Sequence, residues 1–419
     1  MLNLHSPKAF IMNLDKVRQQ IPQLQEKVYG KPLVYLDNAA TSLRPQAVIS
    51  KWEEMSVKYN SNLHRAVHFT ADKATGEYEN ARKVLSDYIN AGACGKVIFT
   101  SGATAALNLV AFCFSELELG EGDEVIVAES EHHSDIVPWQ MACERKNAIL
   151  KVLPIGENGE LRIDLLEDMI TEGRTKIFCV AHISNVLGII NPIKEIVNIC
   201  HSKDCAVLTD GAQGIVHTVP DMADLGCDFY AFSGHKVYAA PGTGVLFARS
   251  EWADRMPPYM GGGDMIETVS WKETKYAKAP HKFEAGTQNI SGTPTLVPAL
   301  DFATQLRDKA VEESYRTVRQ YVFDALGSDS RIRLYGVPSD RENKIPLFSF
   351  SVDGVHHEDL ALLLDKMGIA VRSGHMCAEP LMSRFGLTGM LRASFAPYNT
   401  QQEAEYFIES LDRAINMLV

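Results

Sequence analysis

From about residue 95 to residue 250, short apolar runs alternate with segments of helical period, and this alternation restricts the fold more than any other feature of the chain. Residues 97–100 read as a strand ahead of a helix over 103–115. Residues 124–128 precede a helix over 136–146, residues 149–153 one over 164–171, and residues 176–181 one over 193–201. Residues 206–209, 229–232 and 244–247 supply further strands. The runs are rich in Val, Ile and Phe, as strands covered on both faces are. The expected fold class is α/β, with a mostly parallel mixed sheet and helices on both sides. In such sheets ligands bind beyond the carboxyl ends of the strands, so the search for chemistry starts there.

The pattern changes after about residue 295. A helical stretch over 296–326 breaks near Asp308. Residues 345–352 and 369–372 read as strands flanking a helix over 358–367, and a helix over 401–418 closes the chain. Two domains are predicted: a large one over 26–294, and a smaller α+β one over 1–25 and 295–419. With 419 residues, 46% of them hydrophobic, the chain can bury a large core. A formal net charge of -12 without a basic stripe argues against a nucleic-acid binder. No stretch reaches the roughly 18 apolar residues of a membrane span, and residues 1–9 lack signal-peptide character. A cytoplasmic protein is expected, without nucleic acid or membrane as partner. The eight cysteines form no C-x-x-C pair and no zinc spacing, so no metal site is expected. Most lie in apolar runs and read as buried thiols of a reducing compartment.

Six places at strand ends and loops carry candidate chemistry. Ser233-Gly-His-Lys236 follows the run 229–232. A strand-end lysine is ordinarily solvated, but glycines and alanines surround this one and would let a bulky ligand approach. Beside a phosphate and a desolvated ring, such an amine can lose its proton and condense with a carbonyl. Asp210 closes the run 206–209. It reads either as a helix cap or as a carboxylate facing a protonated ring nitrogen. Thr100-Ser-Gly-Ala-Thr104 joins a strand to a helix, where free amides and the positive helix end favour a phosphate. Ser233 and His235 could complete that shell. In Glu131-His132-His133, an imidazole could stack on a ring and move protons. Arg372-Ser-Gly-His-Met-Cys377-Ala-Glu-Pro is a loop, so its cysteine differs from the other seven. With His375 and Arg372 near it, Cys377 is either partly ionised or inert. Arg392, among small and apolar neighbours, suits either a protein acid or a substrate carboxylate.

Together with Tyr35-Leu-Asp-Asn-Ala-Ala40, His64-Arg65, Ser184-Asn-Val-Leu-Gly188, Asp210-Gly-Ala-Gln213, Phe283-Glu-Ala-Gly-Thr287 and Arg392-Ala-Ser394, these sites resemble the class V aminotransferase family of fold-type I pyridoxal-phosphate enzymes. Within it the sequence is most similar to the SUF-type, or group II, cysteine desulfurases and selenocysteine lyases, over roughly residues 12–419. The resemblance implies pyridoxal 5'-phosphate as cofactor, bonded to Lys236. It implies His132 stacked on the ring, Asp210 on the ring nitrogen and Gln213 on the ring hydroxyl. Thr104, Ser233 and His235 would hold the phosphate. Thr287 would reach the phosphate of a neighbouring subunit, which implies a homodimer. Asn185 and Arg392 would bind the carboxylate of L-cysteine, and Cys377 would take its sulfur as a persulfide, leaving alanine. That sulfur would pass to an acceptor protein for iron-sulfur cluster or other sulfur biosynthesis. The chain departs from the family at Met376, where a second histidine is common, at Ala103, where threonine is common, and at Gln288, where proline is common. Glu358 stands where relatives with a zinc-dependent acceptor carry histidine, so a SufE-like acceptor is expected. Selenocysteine or cysteine sulfinate as substrate, and another class V activity such as an aminotransferase or kynureninase, remain as alternatives.

Overall fold

Seven of the apolar runs join in one sheet: β1 (Gly95–Thr100), β2 (Glu124–Ala128), β3 (Ile149–Leu153), β4 (Thr175–Ala181), β5 (Ala206–Asp210), β6 (Phe229–Ser233) and β7 (Gly244–Arg249). The computed structural model describes residues 14–64 and 67–419. Residues 1–13, part of the N-terminal contribution expected for the smaller domain, and Arg65 of the His64-Arg65 motif lie outside the described residues. The strand order is β1-β7-β6-β5-β4-β2-β3. Only β7 runs against its neighbours; the other pairings are parallel.

The period-2 geometry of a strand sends successive side chains to opposite faces, and both faces here are buried. Ile126, Phe178, Val207 and Tyr230 enter one core. Their neighbours Val127, Cys179, Leu208 and Ala231 enter the other. Helices α1 (Phe69–Tyr88) and α4 (Ile193–His201) cover the first face. Helices α2 (Ala103–Glu118) and α3 (His133–Lys146) cover the second. Gly244 is required by close approach: a Cβ there would lie 2.3 Å from the backbone of Gly102, in the turn that opens α2.

The helical stretch after residue 295 divides into α5 (Leu296–Gln305) and α6 (Lys309–Ser328), with Asp308 capping α6 through Ala310 N–H. A second, antiparallel sheet holds β8 (Ile332–Tyr335), β9 (Leu347–Val352), β10 (Arg372–Gly374) and β11 (Met390–Ser394), in the order β8-β9-β11-β10. Helices α6, α7 (His357–Lys366) and α9 (Gln401–Leu418) pack on it through Val322, Leu364 and Phe407. The short helix α8 (Glu379–Phe385) follows the loop that carries Cys377. Val34 and Leu36 join this core, whereas Val17, Ile21 and Leu24 pack in the main one. Among the described residues no helix is long and apolar enough to cross a membrane.

Two expected elements differ. The helix expected over 164–171 is a 3-10 turn, Ile163–Leu165, followed by a single helical turn, Leu166–Met169. Thr171 N–H turns to the hydroxyl of Thr175 rather than continuing the helix. The strand expected over 369–372 breaks at Val371: Ile369–Ala370 pairs with Val34–Tyr35, while Arg372–Gly374 pairs with β11. The two halves serve different neighbours, which periodicity along one segment does not report.

The two sheets are tied at residues 185–188, just past β4. Arg392 Nη1 donates to the carbonyl of Asn185 (2.8 Å), and Ser349 Oγ to that of Val186 (2.6 Å). Lys344 Nζ donates to the carbonyl of Leu187 (2.7 Å), and Ile345 N–H to that of Gly188 (2.9 Å). Lys344 is 1% exposed, and burial pushes its amine down to about 7. Between that value and the ordinary lysine range, the unfolded chain binds a proton that the folded chain does not, so this residue makes stability rise with pH across the window. Lys344→Met is expected to remove that component, worth about 2–3 kcal/mol between pH 7 and pH 9 at roughly 1.4 kcal/mol per pH unit. Urea unfolding of both proteins at the two pH values measures it.

Candidate active site

The carboxyl ends of β1, β2, β4, β5 and β6 lie on one edge of the large sheet, and β10 and β11 close over it. Between them is a cavity of about 200 Å³. Thr104, His132, Asn185, Asp210, Ser233, His235, Lys236, Arg372, Cys377 and Arg392 all line it. Gln213 and Thr287 do not. Gln213 is buried one layer behind the wall, where its amide donates to the carbonyl of Ala39 (2.8 Å). Thr287 is exposed and lines a separate hollow with Ser101, Tyr78 and Gln288.

Lys236 ends a 3-10 turn directly after β6. The turn is held from the N-terminal segment, where Ser42 N–H and Oγ both donate to the carbonyl of His235 (3.2 and 3.1 Å). Burial lowers the pKa of the Lys236 amine, and Asp210 opposes that shift. No protein group among the described residues hydrogen-bonds the amine, so it is left for a ligand. Asp210 ends β5 with one oxygen accepting from Ala212 N–H (2.8 Å). Burial raises its pKa, and the Lys236 charge pulls it back.

His132 caps α3, its Nδ1 accepting from Ser134 N–H (3.0 Å). A ring nitrogen that accepts carries no proton, so the proton of the neutral ring is on Nε2. Burial holds the ring neutral, with the pKa down to about 4. Beneath it Glu131 and Asp135 are fully buried. Glu131 Oε1 accepts from Ala181 N–H (2.9 Å). Among the described residues, Oε2 of Glu131 and both oxygens of Asp135 have no hydrogen-bond partner. Burial raises both carboxyls well above their ordinary range, and the charge of Asp135 pushes Glu131 further from ionisation.

The first turn of α2 faces the same cavity. Ala103 N–H donates to Ser233 Oγ (2.7 Å), which leaves the serine proton free to donate elsewhere. Thr104 Oγ1 and Ser134 Oγ are 2.8 Å apart. His235 Nδ1 meets Thr41 Oγ1 at 3.2 Å. Two hydroxyls, an imidazole and the unpaired amides of a helix N-terminus form an anion cradle.

On the opposite wall Arg392 is 1% exposed. Its Nη2 pairs with Asp37 (3.1 Å), and its Nε is buried without a partner. The sequence reading gives Asn185 to a substrate carboxylate, but here its amide donates to the carbonyl of Met376 (2.8 Å). His133 N–H donates to the carbonyl of Cys377 (2.7 Å), and His133 Nε2 accepts from Glu379 N–H (2.9 Å). The loop so pinned holds Met376 at φ 54° and Cys377 at φ 58°. Left-handed non-glycine residues cost about 1–3 kcal/mol each, so these contacts hold a strained loop in place. Met376 is buried and His375 exposed. Arg372 Nη2 reaches Cys377 Sγ at 3.7 Å. Sequence reasoning gave no role to Asp37, Thr41 or Ser134. Asp37 lies inside a quoted motif, and Ser134 sits two residues past the capping histidine.

The pattern of the family described as Aminotransferase class-V matches residues 34–407. A probable cysteine desulfurase of Vibrio cholerae is 42% identical over 408 residues, covering 97% of this chain and 100% of that one. The crystal structure of the cysteine desulfurase CsdA from Escherichia coli is similar with a TM-score of 0.88 and 36% identity, over 98% of this chain and 100% of that one. The apo structure of a cysteine desulfurase from Thermococcus onnurineus gives a TM-score of 0.89 and 33% identity over the whole of both chains.

Asp37→Ala strips the carboxylate from a buried guanidinium. It is expected to cost about 3 kcal/mol of folding stability, read as a shift in the urea midpoint relative to wild type.

Proposed function

The chain belongs to the class V aminotransferase family, and we propose that it is a cysteine desulfurase, which takes sulfur from L-cysteine to leave L-alanine and a persulfide on Cys377. One observation carries this reading: Cys377 faces the same cavity as the unpartnered amine of Lys236 and the buried carboxylate of Asp210. An aminotransferase or kynureninase has no need of a thiol there. Relatives named cysteine desulfurases, at about 40% identity over nearly the whole chain, support it.

The family cofactor, pyridoxal 5'-phosphate, fits the groups present: an amine for its aldehyde, a buried acid for its pyridine nitrogen, and the cradle at α2 for its phosphate. When bound it supplies an electron sink for bonds at the substrate α carbon. In this reading Lys236 would hold the cofactor, and burial lowers the pKa of its amine against the pull of Asp210. His132 would face the ring, with its proton on Nε2 available to donate. Asp210 keeps the ring nitrogen protonated, and Gln213 has one amide hydrogen left for the ring hydroxyl. Thr104, Ser233 and His235 hold the phosphate. Arg392, with unused N–H groups, takes the substrate carboxylate, and Asn185 joins it through its remaining amide hydrogen.

We assign the finer points on the same basis. Residues 26–294 form the cofactor-binding unit, and residues 295–419, with the N-terminal segment, the unit that carries Cys377. Thr287 lies away from the cavity of its own chain and serves a second copy, so the enzyme is a homodimer. The acceptor is a zinc-independent protein of the SufE kind, because Glu358, in the first turn of α7, stands where a zinc-dependent partner calls for histidine. The enzyme works in the cytoplasm.

Three variants test the reading. Lys236→Ala should bind cofactor without a borohydride-stable link and show no turnover. Asp210→Asn should fold normally and lose about 10²–10³ in kcat. Cys377→Ser should keep the cofactor absorbance and make no persulfide. In wild type, mass spectrometry after one exposure to cysteine should find about 32 Da added to the Cys377 peptide. Added sulfur on another cysteine, with Cys377→Ser fully active, rejects the assignment.

A further inference from the structure

Arg372 and Arg392 stand directly opposite each other on β10 and β11, and both line the cavity. Like charges facing across a strand pair repel. Asp37 offsets the charge of Arg392. Arg372 has no carboxylate within ion-pair distance among the described residues. Among those residues its one side-chain hydrogen bond runs from Nη2 to Cys377 Sγ. An uncompensated guanidinium in the wall of a buried cavity is unfavourable until an anion joins it.

The backbone brings the sulfur to that guanidinium. Asn185 holds the carbonyl of Met376 and His133 N–H that of Cys377, so the loop keeps Sγ within reach of Arg372. The neighbouring side chains do not compete: His375 is exposed, and Met376 carries no charge. Lys236 and Arg392 face Cys377 across the cavity and act on it electrostatically, but neither is hydrogen-bonded to it.

We propose that Arg372 is a catalytic residue that holds the sulfur anion of Cys377, first as thiolate and then as the terminal sulfur of the persulfide. The second half of this assignment rests on the desulfurase reading; the first does not. In the transfer, Sγ forms an S–S bond to the substrate sulfur as the substrate Cβ–S bond breaks. The electron pair of that bond stays with the carbon fragment, which takes up the proton lost by the substrate thiol and becomes alanine. Thiol and cysteine thus give persulfide and alanine with no outside oxidant or reductant. One negative charge begins on Sγ and ends one sulfur further out, so a single guanidinium beside the loop serves both states.

Alkylation of Cys377 by iodoacetamide, followed on its peptide by mass spectrometry, tests the ion pair without turnover. Wild type, Arg372→Lys and Arg372→Gln are compared as holoenzymes at about pH 6.5 and about pH 10, with cofactor absorbance and circular dichroism confirming the fold. Arg372→Gln should react about tenfold more slowly at the lower pH and at the wild-type rate at the higher, where a thiol ionises unaided. Arg372→Lys should keep most of the rate at both. Equal rates for wild type and Arg372→Gln at the lower pH overturn the proposal. So does an equal loss at both pH values, which is the mark of a displaced loop. A wild type that alkylates as expected yet forms no persulfide from cysteine sinks the desulfurase reading and supports the ion pair.

Discussion

Four successive carbonyls, those of residues 185–188, lie just past β4 and find their donors on the smaller sheet and in the segment that leads into its strand β9. Buried carbonyls must be satisfied somewhere, and here Arg392, Ser349, Lys344 and Ile345 satisfy them in turn. The consequence reaches the reacting sulfur. Asn185, whose carbonyl is held by Arg392, uses its own amide to hold the loop of Cys377. A shift of one sheet against the other would release four hydrogen bonds and the cysteine loop together. The cavity therefore owes its shape to the joint between two layers and to neither layer alone.

Burial then sets the charge states that the chemistry uses. It moves the Lys236 amine down and the Asp210 carboxyl up, while the attraction between them limits both shifts. It also keeps His132 neutral, and the Ser134 N–H decides which nitrogen carries the proton. The buried carboxyls of Glu131 and Asp135 are raised by the same burial, with the Asp210 charge adding to the shift. On the other wall the charge is positive: Asp37 pairs with Arg392, and Arg372 faces Arg392 across the strand pair with no carboxylate within ion-pair distance among the described residues. A substrate with one carboxylate and a transferable sulfur meets complementary charge at both ends.

Most of the large sheet was legible from the sequence, because fully buried strands must be apolar along their whole length and short helices must separate them. β2 and β3, like helices α4 and α9, run over the expected residues. The helix α1 was not legible. Its buried stripe is Ala71, Ala74, Tyr78, Ala81 and Leu85, and three alanines do not announce an apolar face. The strand β11 is hidden for the opposite reason, since a buried arginine stands at its centre. At the site, the order of motifs along the chain picked out ten residues that do line one cavity.

Local order determined which residue types close which strands, since a strand end, a glycine turn and a helix start are properties of a few consecutive residues. It therefore placed Lys236, Asp210, His132 and the phosphate turn on one edge of a sheet. Only the tertiary structure decided what each of them meets. Arg372 and Arg392 are twenty residues apart in the chain, yet they face each other because β10 and β11 pair in that register. The contact of Arg372 with Cys377 depends on a loop pinned by Asn185 and His133, each from a different part of the chain. Hydrogen bonds and charges act through space, and the distances between them are set when the two layers close on one another.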